Sequence, residues 1–219
     1  MDISHKLSLQ YTLAASLLGE VPDELRAAAA RLEDQTVHIS FFFNDEITEK
    51  IIDDLDAATA GVEVKVPRIM YGEPRFERIE FPKPLPSDVG IYAFSRDTLI
   101  PRQFLRSDIP HYSLKGQVAV CSREALLGRI PPRLRAAGYK LDESEKRVVL
   151  KFTLNGDPSE SDRALLSAAI SQVSEDFQEL RIEGLFDPKP YPQKIYGDGG
   201  YNLFRKVGPL DELYVPLTV

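Results

Sequence analysis

Apolar residues alternate with others from Val37 to Phe43 and again from Val148 to Leu154, so Val37, Ile39, Phe41 and Phe43 share one side of an extended chain, as do Val148, Leu150, Phe152 and Leu154. Period two is the signature of a strand with one buried face. Behind each strand the period changes. Ile51, Ile52, Leu55 and Ala58, and likewise Leu166, Ala169, Ile170 and Val173, recur at three and four residues, which predicts a helix laid on that face. Thr48 and Ser159 stand just ahead of these helices as N-caps, where a hydroxyl accepts from a first-turn backbone N–H. Two further helices are predicted over Ser8 to Leu18 and Gln117 to Leu127, each stopped by a glycine, Gly19 or Gly128. Late strands are predicted over Phe76 to Phe81 and Ile91 to Ser95, and over Leu180 to Phe186 and Tyr201 to Lys206, with Pro/Gly/Asp-rich turns between them.

The doubling in this pattern extends to the residues themselves. Leu17-Leu18-Gly19-Glu20-Val21-Pro22-Asp23-Glu24-Leu25-Arg26-Ala27-Ala28 matches Leu126-Leu127-Gly128-Arg129-Ile130-Pro131-Pro132-Arg133-Leu134-Arg135-Ala136-Ala137 without a gap. Val37 to Asn44 then matches Val148 to Asn155, with two extra residues in the second copy between Leu141 and Val148. Further on, Arg78-Ile79-Glu80 and Pro82-Lys83-Pro84 echo Arg181-Ile182-Glu183 and Pro188-Lys189-Pro190, and Gly90 to Phe94 echoes Gly200 to Phe204. The chain divides into a first module at 1–97, a connector at 98–113, a second module at 114–207 and an extension at 208–219. Pro101 and Pro110 suit an ordered connector better than a Gly/Ser tether.

Comparing the copies settles one ambiguity. Pro22-Asp23-Glu24 followed by Leu25 to Leu32, with its run of alanines, has a helix's start signal and composition. Its counterpart, Leu134 to Leu141, contains Gly138 and leads through charged residues into a plain strand, and a length change between copies is what a hairpin turn tolerates. Both segments are therefore read as strands. The expected fold class is α+β: two tandem α-β-β-α-β-β modules, each an antiparallel sheet with its helices on one face.

Composition narrows the possibilities. At 43% hydrophobic and 28% charged residues the chain has the make-up of a folded domain, and no apolar run is long enough to span a membrane. The start, Met1-Asp2-Ile3-Ser4-His5-Lys6, lacks the basic and apolar regions of a leader, and a lone cysteine suits a reducing compartment, so a cytoplasmic protein is expected; it is read as a monomer. With 34 acidic against 27 basic residues and a net charge of −7, no nucleic-acid partner is expected and a basic protein partner is.

Candidate chemistry is sparse. His5, His38 and His111 are scattered with no zinc-ligand spacing, and His38 is replaced by Val149 in the second copy, so no metal is expected and no cofactor. Cys121 reads as a small buried hydrophobe. Gly197-Asp198-Gly199-Gly200 lacks phosphate-loop spacing and reads as a turn, matching Pro86 to Gly90. Arg26 and Arg135, present in both copies, are expected to serve the shared fold. Asp45, Glu46, Glu49, Asp53, Asp54 and Asp56 crowd the start of the first module's central helix, where acids also suit the helix dipole. The second copy has Gly156, Asp157, Glu160, Ala164, Leu165 and Ser167 there, so the fold does not require the charge. This marks the six acids as the candidate partner-binding surface.

The pattern Leu17-Leu18-Gly19-x-Val21-Pro22-x-x-Leu25-Arg26-Ala27, followed by a charged hairpin, a strand ending at Phe43-Asn44 and an acidic helix, resembles a bacterial family of small single-module proteins. Those proteins are associated with immunity in polymorphic toxin and contact-dependent inhibition systems. Here the resemblance covers nearly the whole chain twice, with Leu126 to Ala137 and Phe152 to Asn155 carrying the second match. It implies a non-enzymatic protein that binds and neutralises a cognate toxin, and it supplies no catalytic residues. An adaptor with another protein partner, or an enzyme with a site in the cleft between modules near His111, are the alternatives.

Overall fold

The computed structural model describes residues 3–17, 21–65, 70–190 and 201–205. Gly19, the Gly197 to Gly200 turn and the 208–219 extension lie outside them. The first module runs α1 (Ile3–Ser16), β1 (Leu25–Glu33), β2 (Thr36–Phe43), α2 (Glu49–Lys65), β3 (Met70–Tyr71), β4 (Arg75–Arg78) and β5 (Ile91–Ser95). A 3₁₀ turn at Arg106–Asp108 lies in the connector. The second module repeats the order as α3 (Leu114–Leu126), β6 (Leu134–Asp142), β7 (Arg147–Leu154), α4 (Glu160–Asp176), β8 (Arg181–Pro188) and β9 (Tyr201–Arg205). The fold is α+β.

The hairpins are present in both copies. Leu25 to Glu33 is strand despite its alanines, pairing antiparallel with β2, and Leu134 to Asp142 pairs with β7 in the same register. Both ladders carry a bulge at the same place, between Leu25 and Ala27 and between Leu134 and Ala136, which is where Arg26 and Arg135 stand. The first turn is tight, with Asp34 and Gln35 both at positive φ, the conformation that matches strand twist in a two-residue loop. The second copy's two extra residues fall in the corresponding turn, where Asp142 Oδ1 accepts from Ser144 Oγ and Glu145 N.

The sheets are mixed, which corrects the antiparallel expectation. β3 and β4 run parallel to β2, and β8 runs parallel to β7, while β5 and β9 pair antiparallel with β1 and β6. The late strands of each module are therefore not a hairpin; they occupy opposite edges of the sheet. The cause is the central helix, which carries the chain back to the start of the sheet so that the next strand can only run parallel to the one before it. The stretch from 79 to 90 is moreover long for a hairpin loop. Register also corrects the Arg-Ile-Glu echo: Met70 and Tyr71 lie beside Thr36 and Val37, as Arg181 and Ile182 lie beside Arg147 and Val148. Phe76 and Phe186 are equivalent, each beside the strand phenylalanine Phe41 or Phe152. Three matching letters were coincidence; Gly72-Glu73-Pro74 interrupts the first copy's edge strand and shifts its numbering.

The residues that the repeat places in equivalent positions are buried in both copies: Leu17, Leu25, Val37, Ile39, Phe41 and Leu55, with Leu126, Leu134, Val148, Leu150, Phe152 and Leu166. These belong to one cluster that is continuous across both modules. The first sheet is also covered on its second face, where Ala27, Ala29, Phe42, Val89 and Tyr92 pack with Ile79, Leu85 and Ile100. This is why four successive alanines are buried in a strand: small side chains on both faces let helices approach from one side and the 79–90 segment from the other, and that burial overrides their helical preference.

Local signals at the helix ends hold. Ser159 Oγ accepts from Asp162 N at 3.1 Å while Asp162 Oδ2 accepts from Ser159 N at 2.9 Å, a reciprocal cap, and Thr48 Oγ1 accepts from Ile51 N at 3.3 Å. Ser159→Ala is expected to cost about 1 kcal/mol in chemical denaturation; an unchanged midpoint would show that the cap is idle. Gly128 has φ +75°, and a Cβ there would lie 2.3 Å from the Thr98 carbonyl oxygen. It ends α3 and also lets the second module's backbone approach the first, donating from its N–H to Ser95 O at 2.7 Å.

Candidate functional site

The acidic surface grows out of the end of β2. Asn44 to Thr48 leads into α2, and the core positions Ile51, Leu55, Ala58 and Val62 turn one helix face inward. Glu49, Asp53 and Asp56 fall on the opposite face and are exposed, as are Asp45 and Glu46 in the lead-in. Asp54 is half-buried and paired with Lys50 at 2.5 Å, so part of its charge is spent locally. The second module's Asp157, Glu160, Ala164, Leu165 and Ser167 are likewise exposed, with Gly156 partly covered. At four of the six positions, therefore, solvent accepts either an acid or its counterpart in the second copy.

Asp45 also lines a shallow depression of ≈ 300 Å³ with Asn44, Arg78, Glu80 and Phe81. Parallel pairing of β4 with β2 brings these residues together, since it sets Arg78 beside Phe43. Phe81, 59% exposed, is held by its N–H donating to Asn44 Oδ1 at 3.0 Å. Beneath it Arg26 is 1% exposed and donates to Asp97 Oδ1 at 2.9 Å, Ile79 O at 2.8 Å and Thr98 Oγ1 at 2.8 Å. Asn44 Nδ2 donates to the other Asp97 oxygen at 3.1 Å. Burial would raise the Asp97 carboxyl, but the donors from Asn44 and Arg26 outweigh it and hold it below its ordinary range. Arg135 donates to Lys189 O at 2.6 Å, the equivalent of the Ile79 carbonyl, so both bulge arginines anchor the chain leaving the parallel edge strand. Sequence reasoning singled out Asp45 but not Asn44, Arg78, Glu80 or Phe81; the shared Asn44 and Asn155 at the strand ends were the only signal.

The modules meet along a second polar cluster. Buried Glu124 accepts from Gln10 Nε2 at 2.5 Å, Gln103 N at 2.7 Å and Phe104 N at 3.4 Å, tying α3 to α1 and to the connector. Burial raises its carboxyl above the ordinary value despite those donors. Arg102 forms a two-pronged pair with Asp176, at 2.7 and 2.6 Å, fastening the connector to the end of α4.

The remaining chemistry candidates stand apart. Cys121 is fully buried, and burial, reinforced by the charge of Asp176, pushes its thiol up to about 12. His5 and His111 are exposed and His38 is half-buried in β2. Among the described residues no group of three or more His, Cys, Asp or Glu side chains is placed to hold a metal ion, and no helix is long and apolar enough to cross a membrane.

These features define a class: a duplicated α+β module whose halves share one core, with acidic residues denser on one half. The family model described as MafI2 immunity protein matches residues 6–97 and matches again over 115–199. The chain belongs to the MafI2 immunity protein family, as a tandem duplication of its module. A comparison with curated proteins found no match.

Proposed function

We propose that this protein neutralises a protein toxin by binding it, without catalysis, and that the exposed acids of the first module are where a basic toxin docks. The double family match carries the first part of this reading. The second is supported by asymmetry: Asp45, Glu49, Asp53 and Asp56 are exposed, and their counterparts Gly156, Glu160, Ala164 and Ser167 keep only one acid. A field of one sign on an exposed face raises encounter rates with an oppositely charged partner and suppresses unwanted ones. The reading places the protein in the bacterial cytoplasm, acting as a monomer whose partner is a protein and not a nucleic acid.

Co-expression tests the whole: growth of cells carrying the cognate toxin is expected to be restored by this chain, and a stable complex is expected on purification. Changing Glu49, Asp53 and Asp56 to lysine is expected to leave the melting temperature unchanged and to slow association about tenfold or more at low salt, with the gap closing as screening shortens the field. Lysine at Glu160, Ala164 and Ser167 is expected to matter less. Equal association rates for wild type and triple variant would remove the acidic face from the proposal, and growth arrest despite full expression would remove toxin neutralisation itself.

A further inference from the structure

Phe81 fills no core position, yet it is firmly placed. Its N–H donates to Asn44 Oδ1, and its ring centroid lies 5.6 Å from the guanidinium carbon of buried Arg26, each of whose three nitrogens donates a hydrogen bond of its own. A ring 59% exposed is thus presented to solvent on a rigid support. Single exposed apolar residues are ordinary on protein surfaces. This one differs in being repeated and in what stands beside it.

Ile79 and Lys189 are equivalent by their bonds: Ile79 N donates to Phe43 O and Ile79 O accepts from Arg26, while Lys189 N donates to Leu154 O and Lys189 O accepts from Arg135. Two residues beyond each stands an aromatic followed by proline, Phe81-Pro82 in one copy and Tyr191-Pro192 in the other, the latter outside the described residues. The neighbours have diverged, with Glu80 against Pro190 and Lys83 against Gln193. Unlike the shared bulge arginine, Phe81 is not held by burial. Beside it Arg78 and Glu80 pair with each other at 2.5 Å, so Asp45 sets the sign of the depression they share, and exposed Glu46 follows. The ring therefore stands at the edge of the acidic surface.

We propose that Phe81 anchors the toxin interface: its ring enters an apolar socket, rimmed by lysine or arginine, on the basic protein that Asp45 and the α2 acids draw in. This rests on the neutralisation reading above and adds the residue that holds the complex once it has formed. The two tasks need different chemistry. Exposed charges act over distance and govern approach, but they stay hydrated at an interface rim and add little to residence. Residence comes from a few aromatic or arginine anchors that are desolvated in a partner's pocket. Phe81 is already positioned, so inserting it orders little that was free. The charge around it selects the socket, since a basic rim meets Asp45 and Glu46, and a partner cation can lie against the ring.

The probe is the purified toxin that this chain neutralises in co-expression, and the full chain is used throughout. Phe81→Ala is expected to leave the association rate within about twofold and to speed dissociation about thirtyfold or more, equally at low and high salt. Lysine at Glu49, Asp53 and Asp56 is expected to do the reverse, slowing an association that salt then equalises. Phe81→Tyr, which copies the second module, is expected to keep the wild-type dissociation rate. Free Phe81→Ala is expected to melt within about 1 °C of wild type, as an exposed ring should. An unchanged dissociation rate for Phe81→Ala overturns the anchor and leaves neutralisation standing; a wild-type chain that forms no complex removes both. A free variant that melts several degrees lower also overturns it, because the ring would then be packed by the chain's own segment from outside the described residues.

Discussion

Phe152→Ala is expected to cost about 3–5 kcal/mol, and Phe41→Ala about the same, because each removes a ring from the centre of the core and leaves a cavity that neighbouring strands cannot close. Phe41 is fully buried and stacks on Phe76 with centroids 5.4 Å apart; Phe152 is 1% exposed and meets Phe186 at 5.8 Å. Typical domains hold only about 5–15 kcal/mol in all, so either change removes a large share. The continuous cluster adds a second expectation. Cores that merge lend stability to one another, so either variant is expected to shift a single unfolding transition of the whole chain and not to melt one module alone. The chain has no tryptophan, so urea unfolding would be followed by circular dichroism together with tyrosine emission. A midpoint unchanged in either variant would mean that the strand faces are assigned backwards.

Arg26→Met is expected to cost a comparable amount, about 3–5 kcal/mol at neutral pH, by stranding the acceptors that the guanidinium now serves, among them a largely buried carboxylate. The pH dependence separates this from lost packing. In wild type the Asp97 carboxyl is held below its ordinary value, so its stabilising contribution is fully present above the unfolded value of about 3.9 and is lost as pH falls through the lower folded value. Without Arg26, burial dominates and the carboxyl rises, so the folded variant takes up a proton earlier. The gap between wild type and variant is therefore expected to be widest at neutral pH and to narrow below about pH 4. A gap that stays constant across that range would assign Arg26 a packing role alone.

Much of the candidate surface was legible because it depends on what the fold leaves free. The acids at Glu49, Asp53 and Asp56 are exposed for the same reason that Ile51, Leu55 and Ala58 are buried: one helix, one periodicity, two faces. Asp54 departs because Lys50, one turn earlier, captures it. The depression beside Asp45 was not legible. It exists because Arg78, Glu80 and Phe81, far along the chain, are carried to the end of β2 by a parallel edge strand.

By itself, the sequence determined the duplication, the strand character of Leu25 to Glu33, the core pairs and the caps at Thr48 and Ser159. Each of these rests on spacing within a few residues or on agreement between two copies, and period and capping chemistry are local quantities. Tertiary structure alone decided which strands are neighbours, that Phe42 is buried on the sheet's second face, and that one core spans both modules. Period two says that a face is buried without saying against what. The partner of an edge strand is chosen by the path of the helix before it, and Arg123 and Glu124 are buried because the two modules close on each other, a contact between distant residues that no local pattern records.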